Sequence, residues 1–449
     1  MPKFKPINLS LLSPTPIINS NNFSGLPIVF DASSFAWLWG NGGVGDNTTY
    51  SRSYPVSVSN IRWRQLTVNI NGSPWWNTVF LGLDTNSFAW SWGANYNTTC
   101  LGDGTTSRRS SPVSVIGNRQ WLSVAISNSY QTMVGLDSNS YAWMWGYDGV
   151  ASYNSSPISV AGNRQFSRLI GNTISGIIAL DSNSYAWTWA ATTGGVTNGL
   201  LQGILGNGTT TATSSPVSVV GNRQWKTIVS VTNMQNSQET AIGLDLNGYA
   251  WTWGSGYYGL GSGMTTPQDA GMSSPVSVLG GRQFIKMNSG YNGNAFALDS
   301  NSYAWVWSGQ NISGEMGINS TGGIVSSPVS VLGGNQFLNV ISNTSGERFG
   351  LTGSTLYAWG FNLYGEYGNG TVLNKSSPVS VMSGYNFANL TAIGFGTVLL
   401  PAQQSQLWSW GYTAGGTGGS VGDGTLGNRS IPVSINIFTF NRNLSSIYG

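Results

Sequence analysis

One repeated unit dominates this chain and limits the folds that it can adopt. Each copy opens with Ser-Ser-Pro-Val-Ser-Val, continues with Gly-Asn-Arg-Gln-Trp/Phe, and passes through Leu-Asp-Ser-Asn-Ser to Tyr-Ala-Trp-x-Trp-Gly. The prolines of the opening motif are Pro55, Pro112, Pro157, Pro216, Pro275, Pro328, Pro378 and Pro432. A fixed period of about 40–50 residues is typical of propellers and related arrays, in which neighbouring copies bury a shared core.

Each copy is predicted to form four short β-strands. In Ala89-Trp90-Ser91-Trp92, large and small side chains alternate, as they do along a strand with two different faces. The Asp-Ser-Asn-Ser segments favour turns, because Asp and Asn side chains bond their own backbone. No segment keeps a helical period. The sequence therefore predicts an all-β fold, a β-propeller of four-stranded blades.

The copies at the two ends of the repeat array are incomplete. Seven complete units lie between Pro55 and Trp410. Residues 28–40 supply the last two strands of a unit, and residues 431–440 supply the first one or two. Paired together, these halves would form a composite closing blade, the eighth by count. We therefore predict an extended N-terminal arm over residues 1–27, a single propeller over 28–440 and a C-terminal tail over 441–449.

The composition disfavours an enzyme. Only 7% of residues are charged, against about 25% in an average protein, histidine is absent and Cys100 is the only cysteine. The common catalytic triads and cysteine metal sites are therefore excluded. Glu239, Glu315, Glu347 and Glu366 depart from the repeat and are the carboxylates to inspect, although no motif pairs them as in glycosidases. We expect no catalytic residue, no cofactor and no metal.

Charge and hydropathy also restrict the partners. The net charge is +3 without a basic run, so nucleic acid is not an expected ligand. No stretch approaches 18 apolar residues, which argues against membrane insertion, and the first residues lack the apolar core of a secretion signal. A charge-poor chain rich in Gly, Ser and Asn fits a virion or extracellular surface, with assembly in the host cytoplasm.

Two charged residue types recur once per copy. The aspartates are Asp84, Asp137, Asp181, Asp245 and Asp299. They could form a cation-binding ring, but turn formation explains the same pattern. The arginines are Arg119, Arg164, Arg223 and Arg282. They could line an anion-binding face, or each could bond backbone carbonyls of a neighbouring blade with its five N–H donors.

Binding is expected where the repeat is interrupted. Trp75 and Trp76 stand in a loop that other copies lack, and exposed aromatic pairs often mark recognition surfaces. They could equally fold back on the blade. Tyr257 and Tyr258 stand in one of two Gly-rich insertions, over residues 191–204 and 255–272, of the composition used in binding loops. These four aromatic residues are the predicted binding-loop residues.

The unit resembles the repeat of the regulator-of-chromosome-condensation family. The resemblance rests on Tyr-x-Trp-Gly followed by a Leu/Tyr-Gly-Asp/Asn-Gly-Thr loop, at residues 101–105, 205–209 and 367–371, and it extends over residues 28–440. It implies a propeller that presents loops as a binding surface. That family usually closes seven blades, so a count of eight is a departure. The basic tail of its chromatin-bound member is also absent, so exchange-factor activity is not implied.

The near-identical copies are also similar to repeats of phage-encoded structural proteins. Together with the composition, this leads us to expect an exposed virion component, such as a decoration, tail or adhesion head. Its partners would be other structural subunits of the particle, or a protein or glycan of the host surface. The alternative is a secreted or cell-surface module that recognises protein or glycan through the propeller loops.

Overall fold

The computed structural model describes residues 26–31, 33–40, 43–70, 78–95, 100–127, 132–148, 152–170, 176–189, 203–233, 238–255, 260–263, 271–289, 294–342, 346–385, 387–393, 396–401, 407–413 and 421–435. Within these ranges the regular structure is all β-strand. No helix there is long and apolar enough to cross a membrane.

The described strands are β1 (Ile28–Phe30), β2 (Phe35–Gly40), β3 (Arg52–Ile70), β4 (Thr78–Asp84), β5 (Ala89–Gly93), β6 (Arg109–Ser114), β7 (Trp121–Ile126), β8 (Met133–Asp137), β9 (Ala142–Tyr147), β10 (Tyr153–Ser159), β11 (Phe166–Ile170), β12 (Ile177–Asp181), β13 (Ala186–Trp189), β14 (Val217–Ser218), β15 (Trp225–Asn233), β16 (Gln238–Asp245), β17 (Ala250–Gly254), β18 (Met272–Ser277), β19 (Phe284–Ser289), β20 (Ala295–Asp299), β21 (Ala304–Trp307), β22 (Val329–Ser330), β23 (Asn339–Ser342), β24 (Glu347–Leu351), β25 (Thr355–Gly360), β26 (Lys375–Ser383), β27 (Phe387–Ile393), β28 (Gly396–Pro401), β29 (Leu407–Gly411) and β30 (Arg429–Ile435).

These strands form consecutive antiparallel sheets, the blades of a propeller. Six sheets have four strands each, and a seventh runs from β1 to β6. The long β3 belongs to two blades, because residues 52–62 pair with β2 and residues 63–70 pair with β4. Dividing that sheet within β3 gives blade 1, with three strands among the described residues, and a four-stranded blade 2; the other six sheets are blades 3 to 8. The all-β propeller prediction is confirmed.

The repeat and the blade are out of phase by one strand. The Ser-Ser-Pro-Val-Ser-Val segment, predicted to open each unit, pairs with the preceding Trp-x-Trp strand and is the fourth strand of that blade. In blade 2, for example, Trp90 faces Ser114 across β5 and β6. Residues 431–435 likewise lie in β30, which pairs with β29 in blade 8. Their predicted place in the closing blade was therefore wrong, and residues 436–440 lie outside the described part of the chain.

Glycine-on-tryptophan contacts join the blades into a ring. In every blade whose loop is described, the loop after the strand that carries Trp-x-Trp (Tyr-Ala-Trp in blade 7) passes over the second tryptophan of the next blade, which is fully buried. A Cβ atom added to Gly102 would lie 2.8 Å from Nε1 of Trp145, and φ is +71° at Gly102. Glycine is required because both the conformation and the close approach exclude a side chain. The described pairs are Gly45–Trp92, Gly102–Trp145, Gly206–Trp253, Gly261–Trp307, Gly317–Trp359, Gly368–Trp410 and Gly422–Trp39.

A backbone hydrogen bond accompanies each of these contacts. The donor is the backbone N–H two residues after the contact glycine. The acceptor is the backbone carbonyl of the first serine of the next blade's Ser-Ser-Pro motif, or of its counterpart. One such bond runs from Gly104 to Ser155, at 2.9 Å. The last of them joins the two ends of the array, with Gly424 of blade 8 donating to Ser53 of blade 1 at 2.8 Å. Val29, Trp39, Leu407 and Ile435 pack together at the same junction. The ring thus closes with eight blades.

Candidate interaction surface

The topology divides the propeller into two faces of different character. The first strands of consecutive blades contact one another and surround the centre. Because each blade is an antiparallel series, the turns between second and third strands and the linkers between blades share one face, here named the hairpin face. The loops between first and second strands and between third and fourth strands share the other, named the loop face.

An aspartate closes the turn on the hairpin face in most blades. In blade 3, Oδ1 of Asp137 accepts the backbone N–H groups of Asn139 and Tyr141, and Oδ2 accepts Nε1–H of Trp143 at 2.8 Å. The predicted turn role is therefore confirmed. The same three bonds recur at Asp31, Asp84, Asp181, Asp245 and Asp299. Each carboxylate is thus already bonded through both oxygens.

The recurring arginines have a different role from the expected one. Each guanidinium lies over the tryptophan that is bonded to the aspartate of the same blade, with the Cζ atom 3.2–3.5 Å from the ring centroid. The pairs are Arg119–Trp143, Arg164–Trp187, Arg223–Trp251 and Arg282–Trp305. The prediction that they bond carbonyls of neighbouring blades was wrong. The planar guanidinium stacks on the electron-rich indole face instead.

Carbonyls of neighbouring blades are bonded by two other cations. Arg64 donates from Nη2 to the carbonyls of Trp121 and Leu122 in blade 3, at 2.7 and 2.9 Å. Lys226 donates to the carbonyl of Ile285 in blade 6 at 3.0 Å. Both cations directly follow the aromatic residue of a first strand, so they lie on the inner ring of the hairpin face. The residue type at the position of Arg64 and Lys226 varies between copies, so the sequence did not indicate this role.

Blade 7 lacks the aspartate, arginine and tryptophan of this arrangement together. Thr352, Asn335 and Tyr357 stand at the three positions, and the hydroxyl of Thr352 closes the turn by accepting the N–H of Thr355 at 3.1 Å. The three positions do not change together in every blade. Blade 2 keeps the bond between Asp84 and Trp90 with Ile61 at the arginine position, so the aspartate turn does not depend on the stacked arginine.

The four irregular glutamates lie at the loop face and are buried. Glu315 and Glu366 occupy corresponding loops of blades 6 and 7, where Oε2 accepts the N–H two residues earlier, from Ser313 at 2.8 Å and Tyr364 at 2.9 Å. Burial raises the pKa of Glu366, whose Oε1 has no hydrogen-bond partner in the described part of the chain. These carboxylates therefore stabilise their own loops.

The charges beside these loops are equally inaccessible. Glu347 and Arg348 are adjacent in β24 and fully buried, and Glu239 is 4% exposed. The Arg348 guanidinium lies 5.3 Å from the Phe296 ring centroid of blade 6. Burial also raises the pKa of Tyr367, and the negative charges of Glu315, Glu347 and Glu366 raise it further. Across the described residues, no three His, Cys, Asp or Glu side chains are grouped to hold a metal ion.

Among the described residues of the loop face, most of the exposed apolar side chains belong to one group of blades, and these residues are here named the apolar arc. Its members are Ile312, Ile324, Leu363, Tyr364, Val372, Leu373, Leu426, Ile431, Tyr50 and Tyr54. They belong to blades 6, 7, 8 and 1, which are consecutive around the ring. Tyr50 is 72% and Leu373 is 62% exposed. Exposed apolar residues that are grouped on neighbouring blades are more typical of an interaction site than single scattered ones.

Blade-to-blade bonds bring parts of this arc together. Gly370 donates to the carbonyl of Ser430, so the segment carrying Leu373 lies beside Ile431 of the next blade. The Tyr364 ring also stacks against Tyr412 of blade 8, with 4.3 Å between centroids. The fold does not require these apolar residues, because blade 2 has Thr106 and Ser107 where blade 7 has Val372 and Leu373.

The four predicted binding-loop residues lie outside the described residues. The strands that flank Trp75 and Trp76, β3 and β4, end and begin at the loop face. Tyr257 and Tyr258 follow β17, which ends at the same face, and their counterparts in blade 7 are Leu363 and Tyr364 of the apolar arc. Sequence reasoning selected the interrupted loops but missed the arc, whose residues stand inside regular copies.

Comparison with known proteins identifies the fold. No protein-family model matches this chain. Prp20p, the RCC1 of Saccharomyces cerevisiae, superposes with a TM-score of 0.57 at 16% identity, over 87% of this chain and 93% of its own. Human WBSCR16 superposes with a TM-score of 0.55 at 14% identity, over 80% of this chain and 96% of its own. Both similarities extend over nearly the whole propeller and show a shared fold.

Proposed function

We propose that this chain is a non-enzymatic scaffold for protein interactions, and that the apolar arc is its main docking surface. We further propose that the chain is an exposed virion component and that other structural subunits of the particle bind at the arc. The observation that carries it is that, among the described residues, ten exposed aliphatic and aromatic side chains lie on the loop face of four consecutive blades. Apolar anchors of this kind, surrounded by polar residues, dominate the energy of protein interfaces.

Two further observations support a binding role. Among the residues that the structure describes, the four irregular carboxylates are buried, Glu315 and Glu366 in loops and the other two in strands, so none is presented to a substrate. Prp20p, which has a similar fold, is described with binding properties toward Gsp1p and histones, and in a second structure it is bound to Kap60. A role as a scaffold for other proteins fits both observations.

The test uses the variant Leu373→Ser/Leu426→Ser, which removes two exposed arc residues. Particles from cells that produce the full chain are purified on a density gradient, and the chain is quantified by mass spectrometry. We expect the native chain in the particle fraction and a loss of about thirtyfold or more in the variant, since two buried leucines together contribute about 2–4 kcal/mol. The matched control is Leu279→Ser/Leu332→Ser in two linkers between blades, where both leucines are exposed and neither belongs to the arc; this variant should remain particle-bound.

Absence of the native chain from particles would reject the virion role. The alternative, a secreted or cell-surface module, would then be tested on a glycan array. Binding that is lost in Trp75→Ala/Trp76→Ala would favour glycan recognition through the first irregular loop. Unchanged binding in that variant would exclude that loop as the glycan site.

A further inference from the structure

The hairpin face carries a separate concentration of charge. The chain has 18 lysines and arginines, and Lys3, Lys5 and Arg442 lie outside the described residues, which leaves fifteen. Nine of these fifteen cations lie on the hairpin face. They are Arg62, Arg64, Arg119, Arg164, Arg168, Arg223, Lys226, Arg282 and Lys286. The same face has six of the fourteen described acids. Its net charge is therefore +3, whereas the described loop face has six cations, eight acids and a net charge of −2.

The acids of the hairpin face are unavailable to a partner, whereas several cations are exposed. All six aspartates are held by two backbone N–H groups and one indole N–H in their turns. Arg168 and Lys286, on the inner strands of blades 4 and 6, are exposed and make no hydrogen bond or ion pair within the described residues. Partial burial without a counter-ion lowers the pKa of Lys286. A carboxylate supplied from outside would relieve that cost.

Apolar residues are interspersed with these cations. The residue after the aromatic of the first strand is Arg64, Leu122, Ser167, Lys226, Ile285 and Leu338 in blades 2 to 7. Leu122, Ile285 and Leu338 are 47–61% exposed. Tyr249 and Tyr303 are also partly exposed on the same face. Arginine, tyrosine and aliphatic residues together are typical of protein interfaces. A nucleic-acid site would instead need a continuous basic stripe to follow the phosphates.

We propose that the hairpin face is a second docking surface and that its partner is an acidic protein segment with apolar residues between its carboxylates. The carboxylates would pair with the exposed cations around the central opening, and the apolar residues would contact Leu122, Ile285 and Leu338. This surface lies opposite the apolar arc. It therefore does not depend on the function proposed for the arc, and the two can bind different partners at once.

The experiment uses the full chain and a fluorescent twelve-residue peptide of alternating Glu and Leu, measured by anisotropy at low salt. We expect Arg168→Glu/Lys286→Glu to weaken binding about tenfold or more, because two attractive contacts become repulsive. The control Arg108→Glu/Lys375→Glu makes the same change of charge at exposed positions of the loop face. It should alter the affinity less than about twofold. All four positions are exposed, so thermal melting should show that both variants remain folded.

Three results would overturn the proposal. An equal loss in both double variants would mean a response to net charge alone. Equal binding of the peptide with Gln in place of Glu would mean that the carboxylates are not recognised. Tighter binding of a single-stranded oligonucleotide of the same charge would make this face a nucleic-acid site. Loss in the Leu373→Ser/Leu426→Ser arc variant would not be expected here, so failure of the two proposals can be distinguished.

Discussion

The two faces of the propeller are built from the same strands but follow different sequence rules. On the hairpin face, Asp137 and its counterparts close a turn of a few residues with bonds to two N–H groups and one indole, so few sequences fit. On the loop face, the segment around the contact glycine is also fixed, as shown by the ion pair of Asp103 with Arg109 and its two counterparts, but the rest of each connection varies in length and sequence. The comparison shows why the repeat is regular on one face and interrupted on the other.

The largest effect is expected where a loop-face connection is least tolerant. Gly422 closes the ring, and a Cβ atom there would lie 2.4 Å from Nε1 of Trp39 at a φ of +81°. Gly422→Ala should lower the free energy of unfolding by about 3 kcal/mol through overpacking and a strained backbone, as measured by urea denaturation. Gly427→Ala is the control, because a Cβ atom there meets open space. Equal stability of both variants would show that this contact does not hold the ring.

A smaller loss is expected on the hairpin face. Asp137→Ala leaves two backbone N–H groups and the Trp143 indole without an acceptor, and should cost about 2 kcal/mol in thermal or urea unfolding. The comparison variant is Thr352→Ala in blade 7, which lacks the aspartate and the stacked arginine and should lose less. If both substitutions have the same effect, the aspartate is only a turn residue.

The smallest effect concerns the buried carboxylate of Glu366 and depends on pH. Burial raises the pKa of Glu366 in the folded state above the ordinary value of 4.5. The folded state therefore favours the protonated carboxyl, and this contribution to stability is fully present below pH 4.5. That contribution is lost as pH rises through the folded pKa. Glu366→Gln should therefore be more stable than the native chain by about 1 kcal/mol at neutral pH, with the difference disappearing in acid. A pH-independent difference would contradict this assignment.

A natural contrast is provided by Asp103 and Asp423 on the same face. Burial disfavours their charged forms, but hydrogen bonds from a threonine and an arginine outweigh it and hold the pKa of both carboxyls below the ordinary value. Their contribution is present above the unfolded pKa and is lost as the pH falls through the folded pKa, opposite to Glu366. The free energy of unfolding of Glu366→Gln should therefore still fall at acid pH, because Asp103 and Asp423 are unchanged in that variant.

The sequence predicted the propeller and the turn role of the aspartates because both depend on local patterns that recur in every copy. It did not reveal that the opening motif of each copy belongs to the preceding blade, since strand pairing is decided by contacts between copies. The stacking of Arg119 on Trp143 was also missed, because 24 residues separate them and either partner has several common roles. The apolar arc depends on exposure, which the residue type alone does not predict.

The contact between Gly422 and Trp39 has a consequence for the ring as a whole. Seven blades are described with a glycine on one side and a tryptophan on the other, so the interface is head-to-tail and resembles that between subunits of a cyclic oligomer. Such an interface closes only when the rotation per blade divides a full circle, about 45° for eight blades. The junction between blade 8 and blade 1 repeats the glycine–tryptophan contact and the backbone hydrogen bond of the internal junctions. A circular permutant opened between other blades would therefore keep this contact and this hydrogen bond at the original junction.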